Sequence, residues 1–225
     1  IAIVPVALIL FLAGFLVQLG TINRVVAQPV LTTLTLTFGL ELILYNVMTV
    51  AFTATPRRVT MDLGRVDLAG VVLPLDRVAA MALALALTGL LFLVLRSSNT
   101  GRAIVAVRMD REAATLLGIK VERIYAMTFG IGALMAGACG ALLSVVYPIS
   151  TSMTGLLLGK AFVICVIGGL GTVPGALVGG LALGVIESYA GHWFGPQNAV
   201  LAGFLVMIVL LIVRPTGLVG KKGYE

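Results

Sequence analysis

From Val78 to Leu95 the chain runs 18 residues without a charge, and from Ile124 to Val146 it does so for 23. A helix needs about 20 mostly apolar residues to cross the hydrocarbon core of a bilayer. Between the two runs lies a polar island from Arg96 to Arg123, with six basic and three acidic residues. Two membrane-grade segments flanking such an island restrict the fold to one that returns to water between crossings.

The same pattern extends in both directions. Apolar segments at 1–19 and 30–52 precede the pair, and shorter ones at 156–167, 176–190 and 199–213 follow it. Hydrophobic residues make up 60% of the chain and charged residues 11%. Soluble domains carry about 25% charged residues, so lipid must be the solvent for most of this surface. Twenty-seven glycines agree, because membrane helices pack closely through small residues. The expected architecture is all-α, a single polytopic transmembrane bundle over residues 1–225 with some short or broken helices. Residues 54–77 alternate polar and apolar positions between likely glycine turns, which predicts a small β-hairpin. The chain starts at Ile1 inside an apolar run without a basic leader, as expected for a start inside a longer protein.

Basic loops stay on the cytoplasmic side of a membrane. Placing the island at 96–123 and the tail with Arg214, Lys221 and Lys222 there satisfies the crossing count. The hairpin then faces outward, although its four arginines oppose the rule. The net charge of +6 is thereby assigned to loops. No basic stripe interleaved with aromatics points to nucleic acid.

No nucleophile–base pair, phosphate-binding loop or dinucleotide fingerprint is present, so no enzymatic activity and no bound cofactor are expected. Cys139 and Cys165 lie in apolar runs and read as small packing residues. His192 alone cannot form a metal site. Tyr45, Tyr147, Tyr189 and Trp193 read as interfacial anchors.

Within the island, residues 103–117 lack Pro and Gly and predict one amphipathic surface helix ended by Gly118. Ala113, Ala114, Leu116 and Leu117 form its apolar side, and Arg108, Asp110, Arg111 and Glu112 its charged side. This is either a plain connector or a docking helix. Glycines 168 to 175 must break the chain's helical run, either to line a cavity or to turn between two packed helices. Charges inside spans cost at least about 2.5 kcal/mol each and are functional candidates. They are Glu41, in the Thr-rich second span with Thr37, together with Lys160 and Glu187. Glu41 and Lys160 could supply opposite charges to a zwitterion. Lys160 and Glu187 could instead snorkel to interfaces.

Glu112-Ala113-Ala114 followed by Gly118 resembles the cytoplasmic Glu-Ala-Ala loop of ABC importer permeases. Ala113 to Ile119, Phe129 to Ala133, Val166 to Ala176 and Arg214 to Gly220 together resemble the branched-chain amino acid branch. The general motif's Ile-x-Leu-Pro ending is replaced by Thr128-Phe129-Gly130-Ile131. The resemblance implies a non-catalytic permease subunit that imports branched-chain or related amino acids across the bacterial inner membrane. It implies two ATPase subunits holding ATP-Mg, a second permease and an extracytoplasmic binding protein. The coupling residues carried over are Arg108, Arg111, Glu112, Ala113, Ala114, Gly118 and Ile119. The substrate pathway would draw on Thr37, Glu41, Lys160, Gly168, Gly169 and Glu187. A secondary transporter or channel would need a tighter set of buried charges and usually an internal repeat. A structural subunit of a larger complex is the other alternative.

Overall fold

A computed structural model describes residues 3–26, 28–52, 55–59, 64–68, 71–169 and 171–219. Nine α-helices lie among the described residues: α1 (Ile3–Gly20), α2 (Val30–Phe52), α3 (Leu75–Ser97), α4 (Asn99–Met109), α5 (Arg111–Leu116), α6 (Val121–Val146), α7 (Thr154–Gly168), α8 (Val173–Phe194) and α9 (Ala199–Val213). Six helical segments are long and apolar enough to span a membrane, and α9 is a shorter apolar helix. The tail beyond Val219, with Lys221 and Lys222, lies outside the described residues.

The contacts divide the chain into two units, Ile1–Thr151 and Ser152–Glu225. In the first, α1 packs antiparallel on α6 through glycines. A Cβ on Gly14 would sit 2.6 Å from that of Ala133, and one on Gly137 would sit 2.5 Å from Leu10 Cδ1. The absence of those Cβ atoms lets the two backbones approach, which is how helices associate where no water is available to be expelled. At one end Asn23 Nδ2 donates to Glu122 O at 3.1 Å and Gln18 Nε2 to Asn23 Oδ1 at 3.0 Å. These bonds tie the C-terminus of α1 to the N-terminus of α6.

At the opposite end, Arg57 and Ile149 exchange backbone hydrogen bonds of 2.9 and 2.8 Å, and Val59 N donates to Ser144 O. Of the hairpin region at 54–77, residues 54, 60–63 and 69–70 are outside the description. What is described is an antiparallel pair, β1 (Arg65–Leu68) and β2 (Val71–Pro74), with Arg65 opposite Pro74 and Leu68 opposite Val71. Pro74 then caps α3, and the Arg58 guanidinium lies 3.9 Å from the Asp76 carboxylate in that helix's first turn.

α2 stands apart, with no buried residue in its span. Its polar side chains turn back on their own helix. Thr35, Thr37, Asn46 and Thr49 each donate to a carbonyl one turn earlier. Back-bonding of this kind satisfies hydroxyls and amides that lipid cannot.

In the second unit, α7, α8 and α9 share a core of Val163, Ile167 and Leu183 packed by Phe204, Met207 and Leu210. The expected break at 168–175 is narrower than the sequence suggests. Gly169 (φ 97°) and Gly171 (φ 87°) make the turn, while Pro174 and Gly175 already belong to α8. A proline is tolerated in the first helical turn because its missing N–H has no partner there. α7 and α8 are correspondingly longer than the apolar runs at 156–167 and 176–190. Cys139 and Cys165 are free thiols on the exposed sides of their helices, so neither packs inward as expected.

Candidate functional site

The polar island folds as a corner of two helices, correcting the expected single helix at 103–117. Asp110 is the reason. Its Oδ1 accepts from the backbone N–H groups of Glu112 (2.8 Å) and Ala113 (3.0 Å). The side chain thus competes with helix continuation and starts α5 afresh. Ser98 does the same for α4, accepting from Gly101 N at 3.0 Å. Gly101 has to be glycine, because a Cβ there would collide with the carbonyl of Leu95 in the last turns of α3.

Gly118 ends α5 at φ 80°. Ile119 N donates to Ala114 O and Gly118 N to Thr115 O, the paired bonds of a Schellman motif. Ile119 is thereby drawn inward. It joins Ile124 and Tyr125 around a small core of Val107, Ala114 and Val121.

Restarting the helix changes which residues face out. Ala114 is 2% exposed, whereas Leu116 and Leu117 are 89% and 79% exposed and Met109 is 71% exposed. The expected apolar side of the surface helix therefore divides: Ala114 anchors the corner, and the two leucines project from it. Arg108, Arg111, Glu112, Ala113 and Gly118 are exposed beside them, and the Arg111 guanidinium lies 5.8 Å from the centre of the Tyr125 ring. Ala114 is buried and Ile119 partly buried, so both support the corner from beneath. Met109, Leu116 and Leu117 are the most exposed large apolar side chains of the corner, an exposure that sequence reasoning missed. Asp110, a strong N-cap type one residue before Arg111-Glu112, was the signal available for them.

The pathway candidates are divided between the two units, Thr37 and Glu41 in the first and Lys160, Gly168, Gly169 and Glu187 in the second. Lys160 Nζ donates to Glu187 Oε2 at 2.7 Å, joining α7 to α8. Glu41 on α2 makes no hydrogen bond or ion pair among the described residues. The Thr37 hydroxyl donates to Thr33 O and Leu34 O in its own helix. Gly168 meets the backbone of Gly175, and Gly169 meets Gly217. Leu218 N and Val219 N donate to Ile167 O (2.8 Å) and Gly168 O (3.2 Å). Of the two readings left open for the glycine break, these contacts agree with the packed turn.

Beside the corner, α1 and α6 leave a groove of about 570 Å³ lined by Gln18, Val26, Tyr125, Thr128, Phe129 and Ala133 among others. Gln18 is 5% exposed and its amide is bonded to Asn23, so the groove surface is almost wholly apolar. Among the described residues no group of His, Cys, Asp and Glu could hold a metal ion.

Residues 1–214 match the family described as branched-chain amino acid transport system / permease component. Similar curated proteins include the high-affinity branched-chain amino acid transport system permease protein BraD of Pseudomonas aeruginosa. It is 42% identical over 101 residues, covering 44% of this chain and 33% of that protein. The permease protein LivH of Escherichia coli K12 is 39% identical over the same length and coverage. A probable LivH of Methanocaldococcus jannaschii is 30% identical over 97 residues, 40% of this chain and 31% of that protein. The matches thus span about a third of the length of these relatives. No solved structure matches.

Proposed function

The chain belongs to the branched-chain amino acid transport system permease component family, and from that premise we propose that it is the membrane-spanning subunit of an ABC importer for branched-chain or related amino acids. It does no covalent chemistry itself. ATP-Mg is bound and hydrolysed by two partner ATPase subunits. A second permease completes the pathway, and an extracytoplasmic binding protein delivers substrate. The two units act as one permease domain, since the family match runs unbroken through both.

The observation that carries this reading is the α4–α5 corner. It presents Met109, Leu116 and Leu117 within a rim of Arg108, Arg111 and Glu112, an apolar knob with charged edges. Large apolar side chains that exposed belong against a partner. The corner is held to the bundle at two points. Gly101 and Ser98 join α4 to α3, and Ala114 with Ile119 seats α5 on the start of α6. A push on the knob is therefore delivered to two spans. Such a linkage suits alternating access, with Arg108, Arg111, Glu112 and Ala113 setting register against the ATPase and Gly118 shaping the turn.

The proposed sidedness is supported by which elements share an end. Arg24, the corner and Arg123 lie at one end of the first unit, and Arg57 with Tyr147 at the other. In the second unit the end of α7 and Gly169 meet the tail at 217–219. With the island cytoplasmic, the crossing count puts the turn after α7 and the tail inside as well and β1–β2 outside, facing the binding protein in a bacterial inner membrane.

The test is L-leucine uptake into proteoliposomes holding the full complex. Leu116→Glu with Leu117→Glu should abolish ATPase association while membrane insertion is unchanged. Glu112→Lys or Gly118→Trp should uncouple ATP hydrolysis from uptake. Undiminished uptake in all three variants would remove the coupling assignment.

A further inference from the structure

We infer that Lys160 and Glu187 form an amphoteric site for the ammonium and carboxylate of the translocated amino acid, opened by the substrate itself. The inference rests on the reading of the chain as an amino acid permease. It takes Glu187, which is hydrogen-bonded to Lys160 within the second unit, as the carboxylate of the site in place of Glu41.

An ammonium and a carboxylate in contact at 2.7 Å lie in the interior of α7 and α8. Isolated, either charge would be costly at that depth. Paired, they leave a neutral site with unused capacity. The bond occupies one of three ammonium donors and one of two carboxylate oxygens. Glu187 Oε1 makes no hydrogen bond among the described residues. It lies 4.0 Å from the position a Cβ would take on Gly203 of α9, so the oxygen faces that glycine. The side chains of Lys160 and Glu187 are 29% and 21% exposed, enough for a second pair of charges to reach both.

A zwitterion matches this site in charge and spacing. Its carboxylate takes Lys160, its ammonium takes Glu187, and one internal contact is exchanged for two to the substrate. The total charge stays zero throughout, so no step leaves a bare ion in the membrane. Apolar side chains line the neighbouring turns: Val163 and Ile164 follow Lys160, and Leu183 precedes Glu187. Val163 and Leu183 are buried in the core, so the partly exposed Ile164 is the apolar contact that an aliphatic amino acid meets beside these charges.

The experiment uses the full complex in proteoliposomes, with L-leucine uptake, subunit assembly and binding-protein-stimulated ATP hydrolysis measured together. Two double variants remove both charges by different routes. Lys160→Met with Glu187→Leu makes the seam apolar, a replacement that buried ion pairs tolerate when their role is structural. Lys160→Gln with Glu187→Gln keeps a hydrogen bond across it. The expected result is assembly and ATP hydrolysis with uptake reduced at least about tenfold in whichever variant assembles. Wild-type uptake in either variant would overturn the site, and failure of both to assemble would mark the pair as structural only and overturn it too. If the wild-type complex takes up no amino acid, it is the permease reading that fails.

Discussion

Gly168, Gly175 and Gly179 bring the backbones of α7 and α8 to a separation that no side chain permits. A Cβ on Gly175 would lie 2.5 Å from Gly168 O, and one on Gly179 would lie 2.8 Å from Gly168 N. Gly217 extends the same contact to the tail, where its own Cβ would be 2.5 Å from Gly169 Cα. The obstructing atoms are main chain, so they cannot swing aside. Gly175→Ala should therefore cost about 1–3 kcal/mol of stability through overpacking, read as a lower midpoint of thermal inactivation in detergent. Gly184 has open space at its Cβ position, so Gly184→Ala should be neutral or stabilise by up to about 1 kcal/mol. An equal loss at both positions would mean that helix propensity, and not the crossing, governs the response. The sequence displays every glycine alike. Which of them carry a backbone crossing depends on the rotation of each helix about its axis, and the low amphipathicity of membrane helices leaves that rotation unwritten.

At the scale of elements, long helices are legible because hydrocarbon thickness dictates their length, and α2, α3 and α6 lie close to the apolar runs that foretell them. The ends and corners are less so, since capping atoms decide them. Residues 103–117 contain no Gly or Pro, yet one carboxylate at position 110 divides them. Asp110→Ala should remove two accepted hydrogen bonds and destabilise the start of α5 by about 1 kcal/mol. Hydrogen exchange at the Glu112 and Ala113 amides should quicken, and Asp110→Ser should restore most of the protection. If exchange is unchanged in Asp110→Ala, the packing of Ala114 alone holds α5 in place. The exposure of Leu116 and Leu117 follows from the same cap, because a continuous helix would carry a different face to the core. The exposed apolar knob was hidden from the sequence for that reason, although its charged rim was visible as Arg108, Arg111 and Glu112.

For the molecule as a whole, the distribution of Lys and Arg made a claim about sidedness that the arrangement of helix ends supports within each unit. Arg24 and the island share an end of the first unit, opposite the Arg57–Ile149 bridge. The turn after α7 and the segment after α9 share an end of the second, joined by Leu218 N to Ile167 O. An odd number of crossings between Arg57 and Met109, made by α3 alone, requires these two positions to lie on opposite faces of the membrane. The two natural thiols, Cys139 and Cys165, are exposed on their helices and must be replaced by alanine before labelling. In that background, Met109→Cys and Thr172→Cys should react with a membrane-impermeant maleimide only from the cytoplasmic side, and Arg57→Cys and Asn198→Cys only from the other. Labelling of Met109→Cys and Arg57→Cys from one face would break the assignment of α3 as a span. Labelling of Thr172→Cys together with Asn198→Cys would do the same for α8. Reversed labelling of all four positions would keep every span and overturn the orientation, placing the α4–α5 corner where no ATPase could reach it.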